Sequence, residues 1–180
     1  INIKNQNLTI NKLEFTLTSD QKKALEEINE DLKSKTKMFR LLQGDVGSGK
    51  TIVALISALN TINSGFQVAF MAPTEILAKQ HYNLAKKIFS KTIRIEIISG
   101  KSIYKEKKQI LKNLESNKVD IIFGTHAVFQ KKVQFYKLGL IIIDEQHKFG
   151  VNQRKKLSDK GGVDCDVLLM TATPIPRTLT

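Results

Sequence analysis

One stretch, Gly44-Asp45-Val46-Gly47-Ser48-Gly49-Lys50-Thr51, restricts what this chain can fold into more than any other. A glycine, four residues and then Gly-Lys-Thr is the spacing of a phosphate-binding loop. An apolar run, Phe39 to Leu42, leads in, and a helical pattern, Ile52 to Ile62, leads out. The strand aims the loop, and its glycines let backbone N–H groups turn inward around an anion. The helix that follows offers its positive end to the same anion. Gly44, Val46, Gly47, Ser48, Gly49, Lys50 and Thr51 are therefore the expected lining of a triphosphate site. Lys50 would reach the terminal phosphates, and the Thr51 hydroxyl would ligate a magnesium ion. The plainer alternative is a glycine-rich strand-to-helix turn with a surface lysine; the complete pattern with its flanks argues against it.

The rest of the chain alternates in the same way. Thr18, Ser19 or Asp20 can cap a helix whose apolar positions Ala24, Leu25, Ile28 and Leu32 recur at helical spacing. Strands are expected at Gln67–Met71, Ile93–Ile98, Val119–Phe123, Leu138–Ile143 and Val167–Met170. Helices are expected from Pro73-Thr74-Glu75 to Phe89 and from Ser102 to Glu115, the latter with Ile103, Ile110, Leu111 and Leu114 on one face. Shorter helices are expected at His126–Gln130 and Phe149–Ser158. Strands separated by helices imply an α/β fold with parallel pairing and right-handed crossovers. Continuous apolar runs imply that both faces of the sheet are covered. Polar or glycine-containing groups follow each strand directly, so in a parallel sheet they share the carboxyl edge, where ligands bind.

Leu140-Ile141-Ile142-Ile143-Asp144-Glu145 supplies the acids that a phosphate loop lacks. Asp144, expected at the end of a strand adjacent to the loop's own, would hold magnesium opposite Thr51, partly through water. Glu145 would orient and deprotonate the attacking water. A helix cap is the alternative use of such a pair, and the phosphate loop favours the catalytic one.

The length suits one domain with a real core. No run of eighteen apolar residues is present, so no membrane span is expected. Ile1-Asn2-Ile3-Lys4-Asn5 has no signal-peptide core and does not begin with Met, as expected of a piece of a longer protein. The lone Cys165 cannot form an internal disulfide and suits a reducing, cytoplasmic setting. One cysteine builds no zinc site, and His81 lies on a helix without metal-spaced partners, so it receives no role. The net charge of +12 permits nucleic-acid binding without demanding it. Its lysine pairs, Lys22-Lys23 and Lys86-Lys87 among them, read first as solvated helix faces.

Asp144-Glu145-Gln146-His147 resembles the acidic box of superfamily 2 helicases and translocases, and other motifs of that superfamily fall in matching order. Phe15-Thr16-Leu17-Thr18-Ser19-Asp20-Gln21 resembles the Q motif, and Ala72-Pro73-Thr74-Glu75-Ile76-Leu77-Ala78 resembles motif Ia. Ser99-Gly100 and Gly124-Thr125-His126-Ala127 resemble the next DNA-contacting motifs, and Thr171-Ala172-Thr173 resembles motif III. As a set, with Ile143 to Val151 and Thr171 to Leu179, they are most similar to RecG-type branch-migrating translocases. Mfd-type transcription-repair coupling translocases are the nearest alternative. Their box usually reads Asp-Glu-Glu-His, and their phosphate loop carries an aromatic where this chain has Ser48. Lys148 stands where the RecG type more often has arginine.

The resemblance implies a three-layer RecA-like (P-loop NTPase) domain with a mostly parallel central sheet over residues 15–180. Residues 1–14 would be a linker or the tail of a missing upstream domain. It implies ATP and Mg2+ as cofactors, with Gln21 reading adenine and Phe15 either packing on the base or joining the core. Pro73, Thr74, Gly100, Thr125 and His126 would face DNA phosphates, Thr74 and His126 serving equally as helix caps. Gln146 and His147 would join the catalytic group of Lys50, Asp144 and Glu145 and relay nucleotide state. Thr171, Thr173 and Arg177 would couple that state to DNA grip. The implied partners are branched or duplex DNA, with a wedge domain and a second RecA-like domain of the same polypeptide. The latter brings the arginine on which hydrolysis depends. No membrane partner is implied, and a monomer is expected. A nucleotide-gated DNA-binding module without motor activity is the rival from another class, and a small-molecule kinase is disfavoured because no lid or acceptor site is apparent.

Overall fold

Among the described residues, largely apolar runs form six strands, and segments with apolar residues at helical spacing form four helices. The computed structural model describes residues 19–34, 39–43, 49–125, 133–145 and 165–171. In chain order these carry α1 (Ser19–Lys33), β1 (Phe39–Gln43), α2 (Lys50–Asn63), β2 (Gln67–Ala72), α3 (Glu75–Ile88), β3 (Ile95–Ile97), α4 (Tyr104–Glu115), β4 (Ile121–Thr125), β5 (Leu138–Glu145) and β6 (Asp166–Thr171). The helices expected at 126–130 and 149–158, and the expected linker 1–14, lie outside the described residues.

Every pairing in the sheet is parallel, in the order β1-β6-β5-β2-β4-β3. Side chains of successive strand residues point to opposite faces, and both faces are buried. Val68 and Phe70, Ile121 and Phe123, Leu140 and Ile142, and Leu168 and Met170 share one core with apolar residues of α1, α2 and α3. Ala69 and Met71, Ile141 and Ile143, and Val167 and Leu169 share the other with Leu114 of α4 and Val133. The result is a three-layer α/β fold with both sheet faces covered, as the continuous apolar runs imply. Helix α2 is the most deeply set; Ile52 through Thr61 are all buried.

Polar ties fix the layers. Asn60 of α2 donates from Nδ2 to Asn29 Oδ1 of α1 at 2.5 Å. Arg40 of β1 pairs with Asp31 at 2.7 Å and Glu27 at 2.8 Å, joining α1 to the sheet edge. The Asp31 hydrogen bond is the main cause holding the Arg40 guanidinium above its ordinary range. Buried Gln67 donates from Nε2 to the carbonyls of Leu114 (2.8 Å) and Val119 (2.9 Å) and accepts from Lys137 N–H (3.0 Å).

Four sequence expectations are corrected. β3 spans Ile95–Ile97 rather than 93–98, because as an edge strand it pairs only with β4 over three residues. β4 spans Ile121–Thr125 rather than 119–123, so Gly124 and Thr125 are its last two residues. Ile103 is the residue before α4 and is 65% exposed, so it does not share the buried face of Leu114. Finally, β6 lies between β1 and β5, so the loop strand and the acidic strand are not adjacent. The lysine pairs Lys22-Lys23 and Lys86-Lys87 do lie exposed on α1 and α3.

Candidate active site

Strand register places the candidate chemistry on one edge. Gln43 of β1, Thr171 of β6 and Glu145 of β5 are in register with one another. One residue earlier, Leu42, Met170 and Asp144 form the next row. With neighbouring strands about 4.8 Å apart, the inserted strand leaves β1 and β5 about 10 Å apart. The insertion places Thr171 between Gln43 and Glu145.

Helix α2 begins at this edge. Its N-cap, Gly49, has φ 80° and ψ 17°, the left-handed region that glycine occupies at little cost. No acidic side chain occupies its first turn, whereas the other three described helices each carry one there (Asp20, Glu75 and Glu106). A first turn without its own carboxylate is compatible with an anion at the positive end of α2. Lys50 and Thr51 are the first two residues of this helix. Gln21 of α1 packs against Gly49, so the expected adenine-reading residue meets the end of the phosphate loop.

Asp144 is the metal-side candidate at the end of β5. Its Oδ2 is bonded by His81 Nε2 at 2.7 Å, a contact for which the sequence offers no signal. A carboxylate and the Thr51 hydroxyl are oxygen donors of the kind that magnesium, a hard cation, prefers. Glu145 ends β5 beside it.

A second group forms further along the same edge. Thr125 ends β4 in register with Ala72, the residue before Pro73 and Thr74. Thr74 caps α3, accepting at Oγ1 from Leu77 N–H at 3.2 Å, so the capping role left open for it is realised. That bond uses the hydroxyl oxygen as acceptor and leaves its proton out of the cap. Gly100 is drawn to the same helix end, donating its N–H to the Glu75 carboxylate. Phe15, Gly44, Val46, Gly47, Ser48, His126, Gln146, His147, Thr173 and Arg177 lie outside the described residues.

Comparison with known proteins adds a family to this geometry. Residues 18–180 match the family described as DEAD/DEAH box helicase. The chain is 52% identical over 170 residues to the ATP-dependent DNA helicase RecG of Borreliella burgdorferi, covering 93% of this chain and 24% of that protein. It is 50% identical over 171 residues to RecG of Thermotoga maritima, covering 94% and 22%. It therefore spans about a quarter of the length of these relatives. Among solved structures it is similar to RecG bound to a three-way DNA junction, with TM-score 0.81 and 45% identity over 93% of this chain and 22% of that one. The UvsW helicase of bacteriophage T4, at 15% identity and TM-score 0.69 over 96% of this chain and 61% of that one, shares the fold.

Proposed function

Because the chain belongs to the DEAD/DEAH box helicase family, we propose that it is the first motor domain of a RecG-type translocase that acts on branched DNA, in fork reversal and junction branch migration. The observation that carries this reading is the shared sheet edge. The start of α2, Asp144 and Thr171 stand on it together, with Thr74 and Thr125 further along. Branched DNA enters from the relative solved on a three-way junction.

In this reading ATP lies along the start of α2. Lys50 pairs with its terminal phosphates, and Gln21 reads adenine. Thr51 and Asp144 would hold Mg2+, which would supply positive charge to the phosphates when bound. Glu145 takes the proton of the attacking water. Gln146, His147, Thr171, Thr173 and Arg177 pass nucleotide state to the DNA side, where Pro73, Thr74, Gly100, Thr125 and His126 face backbone phosphates. Phosphate contacts carry no sequence information, as a translocase requires. A second RecA-like domain completes the site with an arginine, worth roughly a thousandfold or more in rate. A wedge domain splits the junction. The protein acts as a cytoplasmic monomer.

The test is ATP hydrolysis by a protein spanning the full length of the RecG relatives, with and without a three-way junction. Strong stimulation by the junction is expected, with weak hydrolysis by these 180 residues alone. Turnover indifferent to DNA would favour the nucleotide-gated binding module.

A further inference from the structure

The core-facing stripe of α3 runs Ala78, His81, Ala85, Ile88, at helical spacing, and all four are buried. A histidine in a stripe that otherwise holds apolar residues needs a polar partner, since burying an unpaired ring N–H is costly. His81 has one. Its Nε2 lies 2.7 Å from Asp144 Oδ2, with the two side chains 11% and 17% exposed. The ring is pinned from the other side by Phe70 of β2, centroids 4.8 Å apart. Phe70 is itself fully buried and in register with Ile142, two residues before Asp144. Helix, central strand and acidic strand thus fix the imidazole at the carboxylate.

We infer that His81 is a positioning residue for the metal-side carboxylate: its Nε2–H holds Asp144 in the orientation that accepts the magnesium–nucleotide complex. The inference rests on the proposed role of Asp144. A hydrogen bond of this kind is the usual second contact of a ligating carboxylate, and losing such a partner typically lowers metal affinity about 10–100-fold. Because α3 carries Thr74 at its start and His81 two turns on, the same helix touches both the proposed phosphate contact and the carboxylate.

The test uses the 180-residue chain and two readouts. Binding of a fluorescent ADP analogue is measured in EDTA, and Mn2+ binding to the chain–ADP complex is followed by electron paramagnetic resonance. His81→Phe keeps a ring against Phe70 and removes the donor, whereas His81→Gln keeps an N–H donor. H81F is expected to weaken Mn2+ binding about tenfold with metal-free ADP affinity unchanged, and H81Q to recover most of the loss. Unchanged or tighter Mn2+ binding in a folded H81F would overturn the inference. So would equal losses in H81F and H81Q, or a matching loss of metal-free ADP binding. Should H81F not fold, His81→Ala against H81Q gives the same comparison. Asp144→Asn separates the two levels. If D144N leaves Mn2+ binding intact, the role of Asp144 fails; if D144N abolishes it and the His81 variants do not change it, only the role of His81 fails.

Discussion

The side-chain amide of Gln21 lies against Gly49, in the space that a Cβ at residue 49 would occupy. Residue 49 also has φ 80°, which costs an L-residue about 1–2 kcal/mol. Gly49→Ala is therefore expected to lower the melting temperature by several degrees, at about 2–4 °C per kcal/mol for a domain of this size. It should also weaken nucleotide binding, because Gln21 or the loop must move. Adding Gln21→Ala should remove the collision but leave the backbone strain. Full recovery in that double variant would show that strain at residue 49 is negligible.

Gln67 satisfies three backbone groups from one buried amide. Gln67→Leu conserves approximate volume but leaves the Leu114 and Val119 carbonyls and the Lys137 N–H without it. At about 1–3 kcal/mol for an unsatisfied buried group, with partial relaxation, a total loss of about 3 kcal/mol is expected by urea unfolding. A loss below about 1 kcal/mol would mean that water replaces the amide.

Glu96 of β3 is held above the usual carboxylate range, chiefly by burial, with Lys86 offsetting part of the rise. A carboxyl whose folded pKa is raised binds its proton more tightly when folded, so stability falls as pH rises from about 4.5 through the raised value. Glu96→Gln should therefore stabilise the fold modestly at pH 7, and the gain should vanish below pH 4. A constant difference across that range, measured by chemical unfolding, would contradict this assignment.

The Glu75 carboxylate accepts the Gly100 N–H that the proposed DNA contact would offer to a phosphate. Glu75→Ala should free that donor and remove a like charge from the DNA path. DNA binding is expected to tighten several-fold at low salt, an advantage that shrinks as salt screens it. Weaker binding would mean that Glu75 instead holds the loop in its binding shape.

Much of the architecture was legible because it is local. The apolar runs around Phe70, Ile122 and Ile142 are continuous because strands covered on both faces have no polar side. Leu25 and Ile28 mark the buried face of α1 because helical spacing puts them on one side. The glycine–lysine–threonine loop carries its flanking strand and helix with it. The short β3 and the exposed Ile103 were not legible, since an edge strand's length depends on its single partner and a helix's first residue on the loop before it.

Local chemistry along the chain thus determined which of the described residues form strands and helices. Tertiary structure alone decided which strand ends sit together. It inserted β6 between the loop strand and the acidic strand, and it set His81 against Asp144 across a separation of 63 residues. The reason is physical: periodicity and spacing report interactions within a turn or a strand, whereas the order of strands is chosen by how whole helices pack over both faces of the sheet.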